Sequence, residues 1–258
     1  MGQAKSALLR TRIYYLIVSV HQCWNLRFCS VCAGCFSGIQ KASLHRNPNA
    51  TATMTTIAFC AGSARPYLAA LDQIQADVLV GVDAGANALA EYGRIPDWAV
   101  GDFDSSAPPA ECRHIVRLPA QKDDTDLEAA LSLILADYPP DNINQIVILG
   151  ALGAGRLDHL LANIWLAHQP RFAPYLTKML WLEHHNRMQF FRAGEHVWQR
   201  DADKKYVSFI GMTPIESLSL SGLLYPLDNA QFVQPMALVS NECLGGEMRF
   251  SFKSGLLC

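Results

Sequence analysis

Four short apolar runs in this chain end abruptly at a glycine or an aspartate, and that repeated ending narrows the possible folds more than any other feature. Residues 56–60 lead to Gly62, residues 78–82 stop at Asp83, residues 98–100 meet Gly101, and the β-branched run 145–149 meets Gly150. Between them lie segments with helical spacing, marked by Leu68, Leu71 and Ile74 and by Leu127, Leu131, Ile134 and Leu135. Apolar strands alternating with helices make a mostly parallel sheet covered by helices. Residues 54–182 are therefore expected to form an α/β domain. From residue 183 to 258 the runs are shorter, glycines separate them, and strong helical periodicity is lacking, which predicts a small all-β sandwich. Trp165, Trp181 and Trp198 are expected in the core.

The first 53 residues differ from the rest. They contain no Asp or Glu but carry Lys5, Arg10, Arg12, Arg27, Lys41 and Arg46. The apolar run 13–20 is too short to span a bilayer, which takes about 20 residues. Arg10 and Arg12 imitate the start of a signal peptide, but His21, Gln22, Asn25 and Arg27 interrupt the apolar stretch. Cys29, Cys32 and Cys35 are spaced C-x2-C-x2-C with Cys23 upstream. Such thiolates can hold zinc or an iron–sulfur cluster, yet the later Cys-Pro of the full cluster pattern is missing. The segment reads as appended or mis-started and poorly ordered, with the functional chain beginning at Met54. Of eight cysteines, Cys60, Cys112, Cys243 and Cys258 are dispersed through the remainder, as expected of a cytoplasmic protein. Lys+Arg number 21 against 23 Asp+Glu, a formal charge of −2 that argues against a general grip on nucleic acid.

Carboxylates sit where such a sheet binds ligands, beyond the carboxyl ends of its strands. Asp83 follows the second run, and Asp102 and Asp104 follow the third. In an extended segment the last two would project to the same side and suit Mg²⁺, a hard cation often shared with phosphates. Lys122, Asp123, Asp124 and Asp126 then precede a helix. Thr125 and Glu128 make its capping box, which explains those two residues but not the packing of Lys122 among acids. A cation beside a carboxylate cluster suits a metal–polyphosphate complex. The loop Gly150-Ala151-Leu152-Gly153-Ala154-Gly155 ends in Arg156, Asp158 and His159, and opens a helix with Leu157, Leu160, Leu161, Ile164 and Trp165 on one face. Its glycines permit close approach to an anion at a helix N-terminus.

Taken together, these segments resemble the thiamine pyrophosphokinase family over residues 54–258. The matching motifs are Asp83-Ala84-Gly85-Ala86-Asn87, Gly101-Asp102-Phe103-Asp104-Ser105, Lys122-Asp123-Asp124-Thr125-Asp126 and Gly155-Arg156-Leu157-Asp158-His159. In the β part, Gly222-Leu223-Leu224-Tyr225-Pro226-Leu227 and Val239-Ser240-Asn241-Glu242 also match. Ala84 replaces a family glycine, and Leu224 stands where Lys is common. The resemblance implies a Rossmann-like α/β domain, a C-terminal β-sandwich, and a homodimer with sites at the interface. It implies transfer of pyrophosphate from ATP to the hydroxyl of thiamine, releasing AMP. Carried over, Asp102, Asp104 and Asp126 hold Mg²⁺, with Asp123 and Asp158 also catalytic. Asp83, Lys122, Arg156 and His159 meet ATP, and Ser240 and Asn241 meet thiamine. A non-catalytic thiamine or nucleotide sensor, or a pyrophosphokinase for another heterocyclic alcohol, remains open from these residues.

Overall fold

The computed structural model describes residues 54–152 and 155–258, together with the backbone of a strand at Arg12–Tyr15. Cys23, Cys29, Cys32 and Cys35, and the features expected of residues 1–53 apart from that strand, lie outside the described residues.

Strands β1 (Arg12–Tyr15), β2 (Thr55–Cys60), β3 (Val78–Val82), β4 (Trp98–Gly101), β5 (His114–Arg117), β6 (Ile143–Leu149) and β7 (Met179–Leu182) run parallel. Strand β8 (Arg187–Gln189) returns antiparallel on β7. Across the sheet the order is β1-β5-β4-β3-β2-β6-β7-β8. The chain builds outward from β2 to β5, then starts the other half with β6. The switch point between β2 and β6 opens a crevice at their carboxyl ends.

Both faces of the central strands are covered. Ile57 and Phe59 of β2 and Ile146 and Ile148 of β6 pack with Leu127, Leu131 and Ile134 of helix α2 (Asp126–Leu135). Their alternates Ala58, Cys60, Val147 and Leu149 face the other way, against Leu68, Leu71 and, from helix α1 (Ala84–Glu91), Leu89. That is why these strands read as continuous apolar runs. A fully buried side chain such as Phe59 contributes roughly 1.5–3 kcal/mol. Helix α2 starts where its capping box dictates: Thr125 Oγ1 accepts from the Glu128 amide, and Glu128 Oε2 accepts from the Thr125 amide at 2.7 Å.

The C-terminal unit is all antiparallel. It comprises β9 (Phe191–Gln199), β10 (Tyr206–Gly211), β11 (Ile215–Ser221), β12 (Leu227–Phe232), β13 (Met236–Glu242) and β14 (Glu247–Leu257). Phe209, Leu218, Leu220, Phe250 and Phe252 fill its core. Leu256 joins the α/β core cluster, with Met212 and Cys258 packed beside it, so the units share apolar contact.

Three expectations change. Residues 187–189, assigned to the β part, extend the first sheet instead, because β8 pairs with β7; the division expected at 182/183 falls inside that sheet. The helical pattern at residues 67–75 is a short 3₁₀ turn, Leu68–Asp72. Trp181 is fully buried and Trp198 half-buried, but Trp165 is 58% exposed. It lies on helix α3 (Leu157–Trp165), whose stripe Leu157, Leu161 and Trp165 faces outward rather than into the core.

The link from β3 to α1 sets the site. Asp83, between them, has φ +49° and ψ −125°, a conformation that glycine adopts most easily. The sequence around it, Gly81-Val82-Asp83-Ala84-Gly85, is an elbow that turns a strand into a helix within one residue, as the nucleophile elbow of hydrolases does. Tight packing demands its two glycines. A Cβ at Gly81 would lie 2.2 Å from Ala86 Cα, and one at Gly85 would lie 1.9 Å from the Cys60 carbonyl oxygen. Gly85→Ala is accordingly expected to lower unfolding free energy by about 3 kcal/mol in urea titration. Gly245→Ala, whose Cβ would meet nothing within 4 Å, is expected to stay within about 0.5 kcal/mol.

Candidate active site

A cavity of about 390 Å³ lies at the switch point. Ala61 and Gly62 after β2, Asp83 after β3, Gly150 and Ala151 after β6, and Thr125 and Asp126 at the start of α2 line it. Arg156 and His159 close it on the side of α3. A larger cavity, about 760 Å³, lies between the β7–β8 hairpin and the antiparallel unit, but no residue assigned to the site by sequence lines it.

At the edge of the smaller cavity the elbow brings Asp83 to Asp102 and Asp104. One carboxylate oxygen from each lies within 4.8 Å of the other two. Contrary to the expectation of an extended segment, Asp102 and Asp104 do not converge through a strand. Strand β4 ends at Gly101, and Phe103 takes φ +51°. The turn drives the Phe103 ring into a small cluster with Ala86, Ala99, Cys112 and Ile115, and the acids on either side are left at the surface. The Asp104 amide donates to Asp102 Oδ1 at 3.4 Å. A Cβ at Gly101 would lie 2.9 Å from Asp83 Cα, so this glycine lets the two loops close together.

Lys122 bridges two of the acids, with its Nζ 2.9 Å from Asp102 Oδ2 and 3.2 Å from Asp126 Oδ1. Burial opposes its charge, but hydrogen bonds and attraction from Asp102 and Asp126 outweigh it and raise the pKa. Asp126 Oδ1 has an ion pair with Lys122 but no aligned hydrogen bond, and Asp83 Oδ1 is buried with no hydrogen-bond partner. An unpartnered Asp83 oxygen within a triad of acids, with Asp126 close by, gives an all-oxygen donor set, which fits a hard divalent cation. Asp126, which opens α2, lies outside that triad but lines the same cavity as Asp83, acts on Asp83 through its charge, and pairs with Lys122 through Oδ1.

The other assigned residues scatter more widely. Asp123 is exposed and outside the triad. Asp124 pairs with both terminal nitrogens of Arg171 at 2.7 Å, which explains its charge without a ligand. Arg156 closes its fork on Asp158, with contacts of 3.2 and 2.6 Å, and Asp158 also accepts from the His159 amide at 3.0 Å. This small network holds the exposed guanidinium at the mouth of the cavity.

Residues 72–177 match the model of the thiamin pyrophosphokinase catalytic domain, and residues 195–257 match that of the thiamin pyrophosphokinase vitamin B1 binding domain. A curated thiamine pyrophosphokinase of Bacillus subtilis is 36% identical over 186 residues, spanning 69% of this chain and 84% of that protein. The chain belongs to the thiamine pyrophosphokinase family. The solved structure of a family protein from Enterococcus faecalis superposes with TM-score 0.70 at 32% identity, over 79% of this chain and 96% of that one. The Candida albicans enzyme shares the fold, with TM-score 0.65 at 18% identity, over 79% of this chain and 88% of that one.

In this family member, Ser240 and Asn241 lie on β13, away from the lining of the 390 Å³ cavity. Ser240 is exposed with φ +60°. Asn241 is 4% exposed and its amide is engaged: Oδ1 accepts from the amides of Tyr225 and Glu242, and Nδ2 donates to the Tyr225 carbonyl at 2.8 Å. It clamps the backbone of Tyr225 and leaves that ring 63% exposed. Sequence reading gave Tyr225 no role, although the aromatic stands inside a motif that matches the family.

Burial, together with the charges of Asp126, Asp102 and Asp104, raises the Asp83 pKa, against a lowering hydrogen bond from the Ala84 amide. The folded state therefore binds this proton more tightly than the unfolded one. Stability from this group is greatest below the ordinary carboxylate pKa and falls as pH rises through the folded value. Asp83→Asn is expected to raise the Tm of metal-free protein at pH 7 by about 2–4 °C, with the gain over wild type shrinking toward pH 3.

Proposed function

We propose that this chain transfers the pyrophosphoryl group of ATP to the hydroxyl of thiamine, giving thiamine diphosphate and AMP. The convergence of Asp83, Asp102 and Asp104 beside Lys122 at the switch point carries this reading, and membership of the family supports it. Asp83, Asp102 and Asp104 would hold Mg²⁺, with Asp126 alongside. Such an ion, when bound, neutralises charge on the triphosphate. The protein's own groups do the rest. Lys122, held between acids, and Arg156, held at the cavity mouth by Asp158, would meet phosphate oxygens. Attack falls on the β-phosphorus, so the cavity must align the thiamine hydroxyl with the bond to AMP, which is a problem of positioning and charge.

The cationic thiazolium needs an aromatic or apolar face. Tyr225, clamped by Asn241 and exposed beside Ser240, supplies one. These residues and the acid cluster lie on different units, and α3 presents Leu157, Leu161 and Trp165 outward next to Arg156. Both observations favour a homodimer in which one copy's antiparallel unit completes the other's site. Free Cys60, Cys112, Cys243 and Cys258, with no described helix long and apolar enough to cross a membrane, support a cytoplasmic setting.

Purified full-length protein given ATP, Mg²⁺ and thiamine should release AMP and thiamine diphosphate in equal amounts. Folded protein without turnover would overturn the proposal. Asp102→Asn and Asp104→Asn should each lower kcat by about 10²–10³-fold with Tm retained. Leu161→Asp combined with Trp165→Asp should sediment as a monomer where wild type sediments as a dimer.

A further inference from the structure

Gly150 and Ala151 of the glycine loop after β6 line the cavity read as the ATP site, and two buried polar side chains, Glu183 from outside the cavity and Asn163 from its lining, grip the loop. Glu183, 6% exposed, follows β7; its Oε1 accepts from the Leu152 amide at 3.3 Å. Asn163, 8% exposed, lies on α3 and donates from Nδ2 to the Ala151 carbonyl at 2.8 Å. One side chain takes a donor of the loop and the other takes an acceptor, and they come from different elements. The loop is also blocked from a third side, because a Cβ at Gly150 would lie 2.5 Å from the Ala61 carbonyl oxygen.

We propose that Glu183 and Asn163 are positioning residues that fix residues 150–152 in the form that receives the ATP phosphates, so that they govern nucleotide affinity through the loop, Glu183 from outside the cavity lining and Asn163 from within it. The inference rests on the reading of this cavity as the ATP site. A carboxylate buried behind a phosphate-binding wall is costly in electrostatic terms, since it repels the ligand, and burial raises its pKa. Several groups hold it down in compensation: the amide of Leu152, the charge of His184, and the amides of Gly150 and Ala151. The Leu152 amide is therefore committed to Glu183 rather than free to cradle phosphate. The loop contributes shape, and Glu183 sets that shape.

Removing the Glu183 acceptor leaves the Leu152 amide without its partner and lets the wall relax. The test compares full-length wild type with Glu183→Ala, Glu183→Gln and Asn163→Ala. Affinity for a fluorescent ATP analogue with Mg²⁺ is measured without thiamine, alongside KM for each substrate, kcat and thermal melting. Glu183→Ala and Asn163→Ala should each weaken nucleotide binding and raise KM for ATP about 10-fold. KM for thiamine should stay within about 2-fold and kcat within about 3-fold. Glu183→Gln, which keeps one acceptor oxygen, should fall between wild type and Glu183→Ala. Unchanged nucleotide affinity in folded variants, or equal rises in both KM values, would overturn the proposal. Should Glu183→Ala fail to fold, Glu183→Gln and Asn163→Ala decide by the same criterion. Wild-type protein that binds the analogue but forms no thiamine diphosphate would sink the proposed reaction while leaving this inference standing.

Discussion

The backbone turn at Asp83 is the constraint on which the site depends. A strand in the middle of a parallel sheet must hand over to a helix within one residue, and at that residue the chain takes a conformation suited to glycine while carrying a carboxylate. Close backbone approach at Gly81, Gly85 and Gly101 makes the turn possible. Without those missing side chains, α1 could not sit so near β2, and the loop after β4 could not reach the elbow. Strain of this kind costs on the order of 1–3 kcal/mol and persists only where the surroundings enforce it.

The turn also gathers like charges. Asp83, Asp102 and Asp104 repel one another, and Asp126 adds to the field at Asp83. Lys122 relieves part of this by bridging Asp102 and Asp126, and it leaves Asp83 Oδ1 without a partner. Mutual repulsion of these acids works against stability, so stability alone gives no reason for this arrangement. A proposed divalent cation shared with ATP phosphates would resolve it. The remaining polar groups then take separate places: Arg156 and Asn163 in the cavity lining, Glu183 behind the loop, and Asn241 holding Tyr225 on the other unit.

Much of this is legible in the chain because burial leaves a direct trace. Strands covered on both faces, such as β2 and β6, appear as unbroken apolar runs, and a capping box such as Thr125 and Glu128 marks a helix start locally. The acids are legible as types and as positions at strand ends. Their manner of convergence is not, because it depends on positive φ at Asp83 and Phe103, which neither residue announces. Only the glycines flanking Asp83 hint at it. The outward stripe of α3 misleads for a related reason: periodicity reports an apolar face but not what covers it. Strand β8 is misplaced by sequence because pairing, not composition, assigns a short strand to a sheet. Glu183 is invisible there because a lone glutamate after a strand carries no pattern, and only its contact with the loop shows its use.

The central claim is that the elbow and the turn after β4 build a divalent-cation site that works together with a nucleotide. Electron paramagnetic resonance of Mn²⁺ titrated into the metal-free full-length chain, with and without a non-hydrolysable ATP analogue, tests it most directly. About one ion per chain is expected, bound more tightly when the analogue is present. Mn²⁺ binding no stronger than that of the analogue in free solution would contradict it.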